Sequence, residues 1–172
     1  DFSKEHIDAD MARAAVILRD VLSRARAIPG VEVAALASGT PPLSTGWSRS
    51  SITIPGKPHS EDPDDSPDQK NISPDYFRAT NVPMLMGREF TAADSAPGAE
   101  PVIIVNDIVV ERLLKGQNPI GVTVESNGKR RIVGVARAVR LGGPEAPLRP
   151  EVYTPISDTR AFGGTLFLRS SN

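Results

Sequence analysis

Residues 102–135 read VIIVNDIVVERLLKGQNPIGVTVESNGKRRIVGV, and the order of elements in this stretch decides the fold. Val102–Val105 is an apolar run of strand length, suited to burial on both faces. Asn106 follows as a helix N-cap, because its side-chain oxygen can accept from an unsatisfied backbone N–H of the first turn. Ile108, Val109, Leu113 and Leu114 then face one side of a helix that runs to about Lys115, and Gly116 closes it. Ile120–Glu125 and Lys129–Val135 are strands joined by Ser126-Asn127-Gly128, and Asn-Gly is a strong hairpin signal. A strand and helix followed by a hairpin breaks the regular β-α alternation of a doubly wound sheet, so the class is α+β.

Upstream, Ile7, Met11, Ala14, Ala15, Leu18, Val21, Leu22 and Ala25 recur at three-and-four spacing and predict an amphipathic helix. Asp8 or Asp10 is the expected cap, and Pro29-Gly30 ends the helix. Arg13, Arg19, Arg24 and Arg26 lie mostly off the stripe and read as a solvated face. Val31–Ala37 is a strand, so the helix is expected to lie across the sheet that contains it. Ser51–Pro55 alternates as a short strand. Gly56 to Asp68 is acidic and proline-bearing, and reads as an exposed loop. Lys70–Ile72 leads into a short helix carrying Tyr76, Phe77 and Thr80. Its expected start has Ser73 as cap, Pro74 as first helical residue and Asp75 at the positive end of the dipole. Downstream, Ala136–Leu141 can prolong the second hairpin strand, and Glu151–Pro155 and Thr165–Arg169 are the remaining strands.

The 172 residues, 39% hydrophobic and 24% charged, suit a folded domain or two subdomains sharing a core. A net charge of −1 leaves no basic footprint for nucleic acid, so no nucleic-acid partner is expected. The absence of cysteine removes disulfides and thiolate chemistry. No stretch approaches the roughly 20 apolar residues of a membrane helix. The chain opens Asp1-Phe2-Ser3-Lys4 without methionine and stops at Ser170-Ser171-Asn172 directly after a strand-like run, and both ends are expected to be cuts within a longer protein.

A search for chemistry nominates no catalytic residue, no cofactor and no metal site. The histidines are His6 and His59. His59 with Glu61, Asp62, Asp64, Asp65 and Asp68 lacks the Asp-x-Asp-x-Asp-Gly order of a calcium loop, and reads as a solvated acidic segment with weak cation binding as the alternative. Ser126 and Lys129 have Ser-x-x-Lys spacing but span the hairpin turn, with no helix to align them. Val133-Gly134-Val135 and Gly142-Gly143 lack the spacing and following helix of a phosphate loop. Tyr76, Phe77 and Tyr153 read as core anchors. Trp47, in a Pro/Ser/Gly-bearing loop, is either folded back on the core or an exposed partner contact, and is the one contact residue nominated.

Several segments taken together are more specific. Ala27-Ile28-Pro29-Gly30-Val31-Glu32 with Ala35–Ser38, Ile72–Phe77, Met86–Thr91, Val102–Asn106, Asn118–Gly121, Ile132–Val135 and Pro150–Pro155 occur in an order and spacing that resembles the MacB-like periplasmic core domain of bacterial ABC-transporter permeases. Lys115 and Leu114 depart from it, standing where proline and phenylalanine are usual. The resemblance implies a porter-like β-α-β subdomain over 1–85, resumed at 159–172, with a small inserted α/β subdomain over 86–158. It also implies a further helix and strand beyond residue 172, so that the last sheet edge is left exposed. The implied role is that of a non-catalytic domain on the periplasmic side of the bacterial inner membrane. It would couple membrane-helix motion to a substrate or partner, with hinges near Met84–Arg88 and Ser157–Thr165. The implied partners are transmembrane helices of the same permease, an ATP-binding subunit across the membrane, a second permease copy and a periplasmic protein. The alternative is a passive binding module for a peptide, lipid or cell-wall fragment, for which an apolar groove between the subdomains would count.

Overall fold

A computed structural model describes residues 4–38, 50–56, 62, 65–140, 143–156 and 164–171. Along the chain run α1 (Lys4–Arg26), β1 (Val31–Ala37), β2 (Asp68–Ile72), α2 (Tyr76–Thr80), β3 (Met84–Gly87), a 3₁₀ turn (Ala92–Ser95), β4 (Val102–Asn106), α3 (Asp107–Arg112), β5 (Thr123–Glu125), β6 (Lys129–Ala136), β7 (Glu151–Pro155) and β8 (Thr165–Ser170). Among the described residues, all eight strands belong to one mixed sheet ordered β3-β6-β4-β7-β2-β1-β8, with β5 on the side of β6. The class is α+β, as the sequence indicates.

β4 sits inside the sheet, parallel to β6 and antiparallel to β7, and is buried from end to end. Its alternation feeds two cores. Val102 and Ile104 pack with Tyr76 and Phe77 of α2, while Ile103 and Val105 pack with Val109 of α3 and Val124 of β5. Burying each of these aliphatic side chains contributes roughly 1.5–3 kcal/mol, which explains why so continuous an apolar run is needed here. At the β3 edge, Gly87 opposes Gly134 of β6. A Cβ on either glycine would run into backbone carbonyl of the facing segment, so the two strands approach only because both lack one.

Several local expectations change. α1 starts at Lys4, so Asp8 lies within the helix rather than capping it. In its second half Ala25 is buried and Leu18 and Leu22 are half-buried, while Val16 and Ile17 are 57% and 61% exposed. Ser73 does not cap α2. Its hydroxyl accepts the Leu36 N–H at 2.8 Å and so extends the β1–β2 pairing, while the N-cap position falls to Asp75 at φ 68. Asn106 caps α3 as expected, its Oδ1 accepting from Val109 N at 3.1 Å. α3 ends early, at Arg112, and the chain turns through Lys115 at φ 51 and Gly116 at φ 73. Proline, fixed near −65°, cannot take the Lys115 conformation. Ser51–Pro55 contributes a single bridge, Thr53 to Glu125, and Ile120 and Gly121 form a turn, with β5 starting only at Thr123. β6 ends at Ala136 and is not prolonged to Leu141. Asp68 belongs to β2 and is 2% exposed, so the acidic loop stops short of it. Met84–Gly87, an expected hinge, is a strand paired to β6.

Candidate functional site

A seam runs through the sheet where β2 pairs in parallel with β7, in register from Asp68↔Glu151 to Ile72↔Pro155. Strand alternation places Lys70, Tyr153 and Glu151 on one face of this seam. Lys70 Nζ donates to Glu151 Oε1, and the Tyr153 hydroxyl donates to Glu151 Oε2 at 2.7 Å. The Lys70 and Glu151 side chains are 4% and 1% exposed. Lys70 Nζ also lies 5.8 Å from the Tyr153 ring centre. The Tyr153 ring meets Phe77 edge-on at 5.0 Å, and Tyr76 meets Phe167 of β8 the same way at 5.5 Å. Burial, reinforced by the Glu151 charge, pushes both tyrosine hydroxyls above their ordinary range. Tyr153 is therefore a fixed proton donor to Glu151 at neutral pH. On the opposite face Thr154 Oγ1 donates to Asn71 Oδ1 at 2.6 Å. At the start of the seam the Asp68 carboxylate forms an ion pair with Arg149, whose Nε lies 3.7 Å away.

This arrangement locks register. Sliding β2 by one residue against β7 would turn Lys70 to the other face and strand Glu151 in an apolar core, a penalty of several kcal/mol. A lysine held against a carboxylate behind aromatic rings has no approach for a substrate, so the network is a joint rather than a reaction centre.

Two clefts open beside the seam. One, of about 470 Å³, lies between α1 and the 3₁₀ turn. The other, of about 280 Å³, is walled by β2, β7 and residues 94–102. Around the latter, Arg88 clasps Asp94 through two contacts of 2.7 and 2.8 Å, holding the Asp94 carboxyl down at about 2. Arg131 clasps Glu100 through two of 2.6 Å.

Trp47, His59, Glu61 and Asp64 lie outside the described residues. The described part of the acidic run does not converge: Asp65 faces Arg112 at 3.7 Å and Asp68 faces Arg149. Among the described residues no group of three or more His, Asp or Glu could hold a metal ion, and no helix is long and apolar enough to cross a membrane. Ser126 is buried and its hydroxyl bonds Ser50 Oγ at 3.0 Å, so the Ser126–Lys129 spacing is structural. The seam network was missed by sequence reasoning. Lys70 and Glu151 are 81 positions apart, and only an inward-phased lysine in a short strand hinted at a buried charge.

The profile of the MacB-like periplasmic core domain matches residues 4–171. The chain belongs to that family, as the quoted segments indicated. No curated protein matches the sequence. Among solved structures the chain resembles the periplasmic region of MacB from Actinobacillus actinomycetemcomitans, at a TM-score of 0.63 and 16% identity over 90% of this chain and 64% of that one. It also resembles the extracellular domain of the noncanonic ABC-type transporter YknZ from Gram-positive bacteria (TM-score 0.58, 16% identity, 89% of this chain and 72% of that one). A third likeness is a domain of a permease-type protein from Porphyromonas gingivalis (TM-score 0.55, 16% identity, 87% and 61%). The chain thus spans less than two thirds of the MacB region it matches. Family and likeness together make it a periplasmic core domain of a MacB-like ABC-transporter permease, on the extracytoplasmic side of the membrane.

Proposed function

We propose that this domain is a non-catalytic transmission element. It carries motion of the permease's membrane helices, driven by an ATP-binding subunit across the membrane, to a periplasmic substrate or partner. Residues 1–85 with 159–172 form one half and 86–158 the other. A second permease copy stands beside it, and Trp47 is a contact for the periplasmic partner. The observation that carries the reading is the continuous sheet: the β2–β7 seam joins the halves through backbone pairing and a buried ion pair, so a force on α1 reaches β6 without crossing a gap. Rigid elements with few internal states suit transmission. Motion is then of the whole domain, with Met84–Gly87 held as a strand rather than acting as a hinge.

The test uses the intact permease. Lys70→Met leaves Glu151 buried without its partner and loosens the seam, so transport falls while ATP hydrolysis continues. Lys70→Met/Glu151→Leu restores a packed seam and restores transport. Full transport in the single variant, or none in a double variant whose fold is intact, contradicts the reading.

A further inference from the structure

We infer that the two clefts beside the seam form one bipartite site for an amphiphile whose head group is uncharged and hydrogen-bonding. Transmission of motion needs no ligand, so this goes beyond the coupling role and stands or falls separately from it.

The larger cleft has an apolar wall built by Leu18, Leu22, Leu36, Pro74, Pro97 and Ile156. Its volume of about 470 Å³ lies in the range of ~300–1,000 Å³ usual for small-molecule pockets. The smaller cleft presents Gln69, Asn71, Thr154 and Ser95, a set of amides and hydroxyls. Ser95, Ala96 and Ile156 line both, so the clefts adjoin across a shared wall. An apolar compartment beside a polar one is the complement of a molecule with a tail and a head.

The charges decide the kind of head. Asp94 is bound by Arg88 and Glu100 by Arg131, and Arg130 Nε donates to the Ser126 carbonyl at 3.0 Å. At the mouth of the apolar cleft Arg26 is held by Asp75 at 3.1 Å, and Arg19 is also engaged. A charged head would lose its hydration and meet groups already engaged, the carboxylates Asp94 and Glu100 by arginines and Arg130 by a backbone carbonyl. A sugar-like or amide head exchanges water for the amides and hydroxyls at little cost.

The probe is octyl β-D-glucopyranoside, titrated below its micellar concentration into the 172-residue chain and followed by calorimetry, with octanoate and glucose as comparisons. Saturable binding of the glucoside at a single site is expected, with octanoate weaker by about tenfold or more and glucose without measurable binding. Ala96 is exposed, so Ala96→Trp fills the shared wall without disturbing the fold and weakens binding by about tenfold or more at an unchanged unfolding midpoint. If that variant fails to fold, Ala92→Trp, which blocks the apolar cleft alone, gives the same readout. Absence of saturable binding, octanoate binding as tightly as the glucoside, or binding unchanged in the tryptophan variant each overturns the site.

Discussion

The seam and the flank of the sheet each hold a cation against a carboxylate, and the two pairs differ in everything except contact. At the seam, Lys70 and Glu151 are 4% and 1% exposed. On the flank, Arg131 meets Glu100 at 2.6 Å through a two-pronged contact, but the partners are 41% and 58% exposed. Solvent screens the flank pair, and little is lost if it breaks. At the seam neither partner can return to water, so each depends on the other. Close geometry therefore says little about energy until burial is added, and only the seam can act as a structural joint.

The largest effect belongs to the seam. Glu151→Ala leaves Lys70 buried and alone and should cost roughly 3–5 kcal/mol in urea unfolding. Lys70→Met/Glu151→Leu should stay within about 1 kcal/mol of the parent chain or exceed it. A single variant as stable as the parent would erase the contrast. An intermediate effect belongs to Asp94, whose side chain is 9% exposed while its partner Arg88 is 47% exposed. Its carboxyl is lowered from 3.8 to about 2, chiefly by the hydrogen bond from Arg88. A depressed carboxylate stabilises the fold fully above pH 3.8 and loses that contribution as pH falls through about 2. Asp94→Asn should thus lower the unfolding midpoint at pH 7, and the gap from the parent should close across that acid window. The smallest effect belongs to the flank: Glu100→Gln should leave the midpoint unchanged at any salt concentration.

Legibility followed the same division between local and distant causes. β4, the Asn106 cap, the Asn127-Gly128 turn and β7 were readable because each depends on neighbours in sequence. The order of segments was enough to place the family. The short strands were harder. β2, DQKNI, has no apolar run, and its inward residues Asp68 and Lys70 are tolerated only because Arg149 and Glu151 lie across the seam. Ser73 was misread for a similar reason, since a cap motif and a strand-pairing hydroxyl look alike until Leu36 is placed beside it. The apolar stripe of α1 was visible, but how much of it the sheet covers depends on packing that one sequence does not encode locally. The clefts bring together α1, β2, β7 and the 3₁₀ turn, and no spacing announces such a convergence.

The most direct test of the rigid seam measures across the whole sheet. Leu168 on β8 and Met86 on β3 are exposed and stand on the strands at opposite ends of the sheet order. The chain has no cysteine, so Leu168→Cys and Met86→Cys can carry a spin-label pair in an intact permease stripped of its other cysteines. Pulsed electron resonance should give one distance distribution, the same without nucleotide and with ATP bound. A second distance that appears only with ATP would mean that the halves move against each other, and would contradict transmission through a rigid seam.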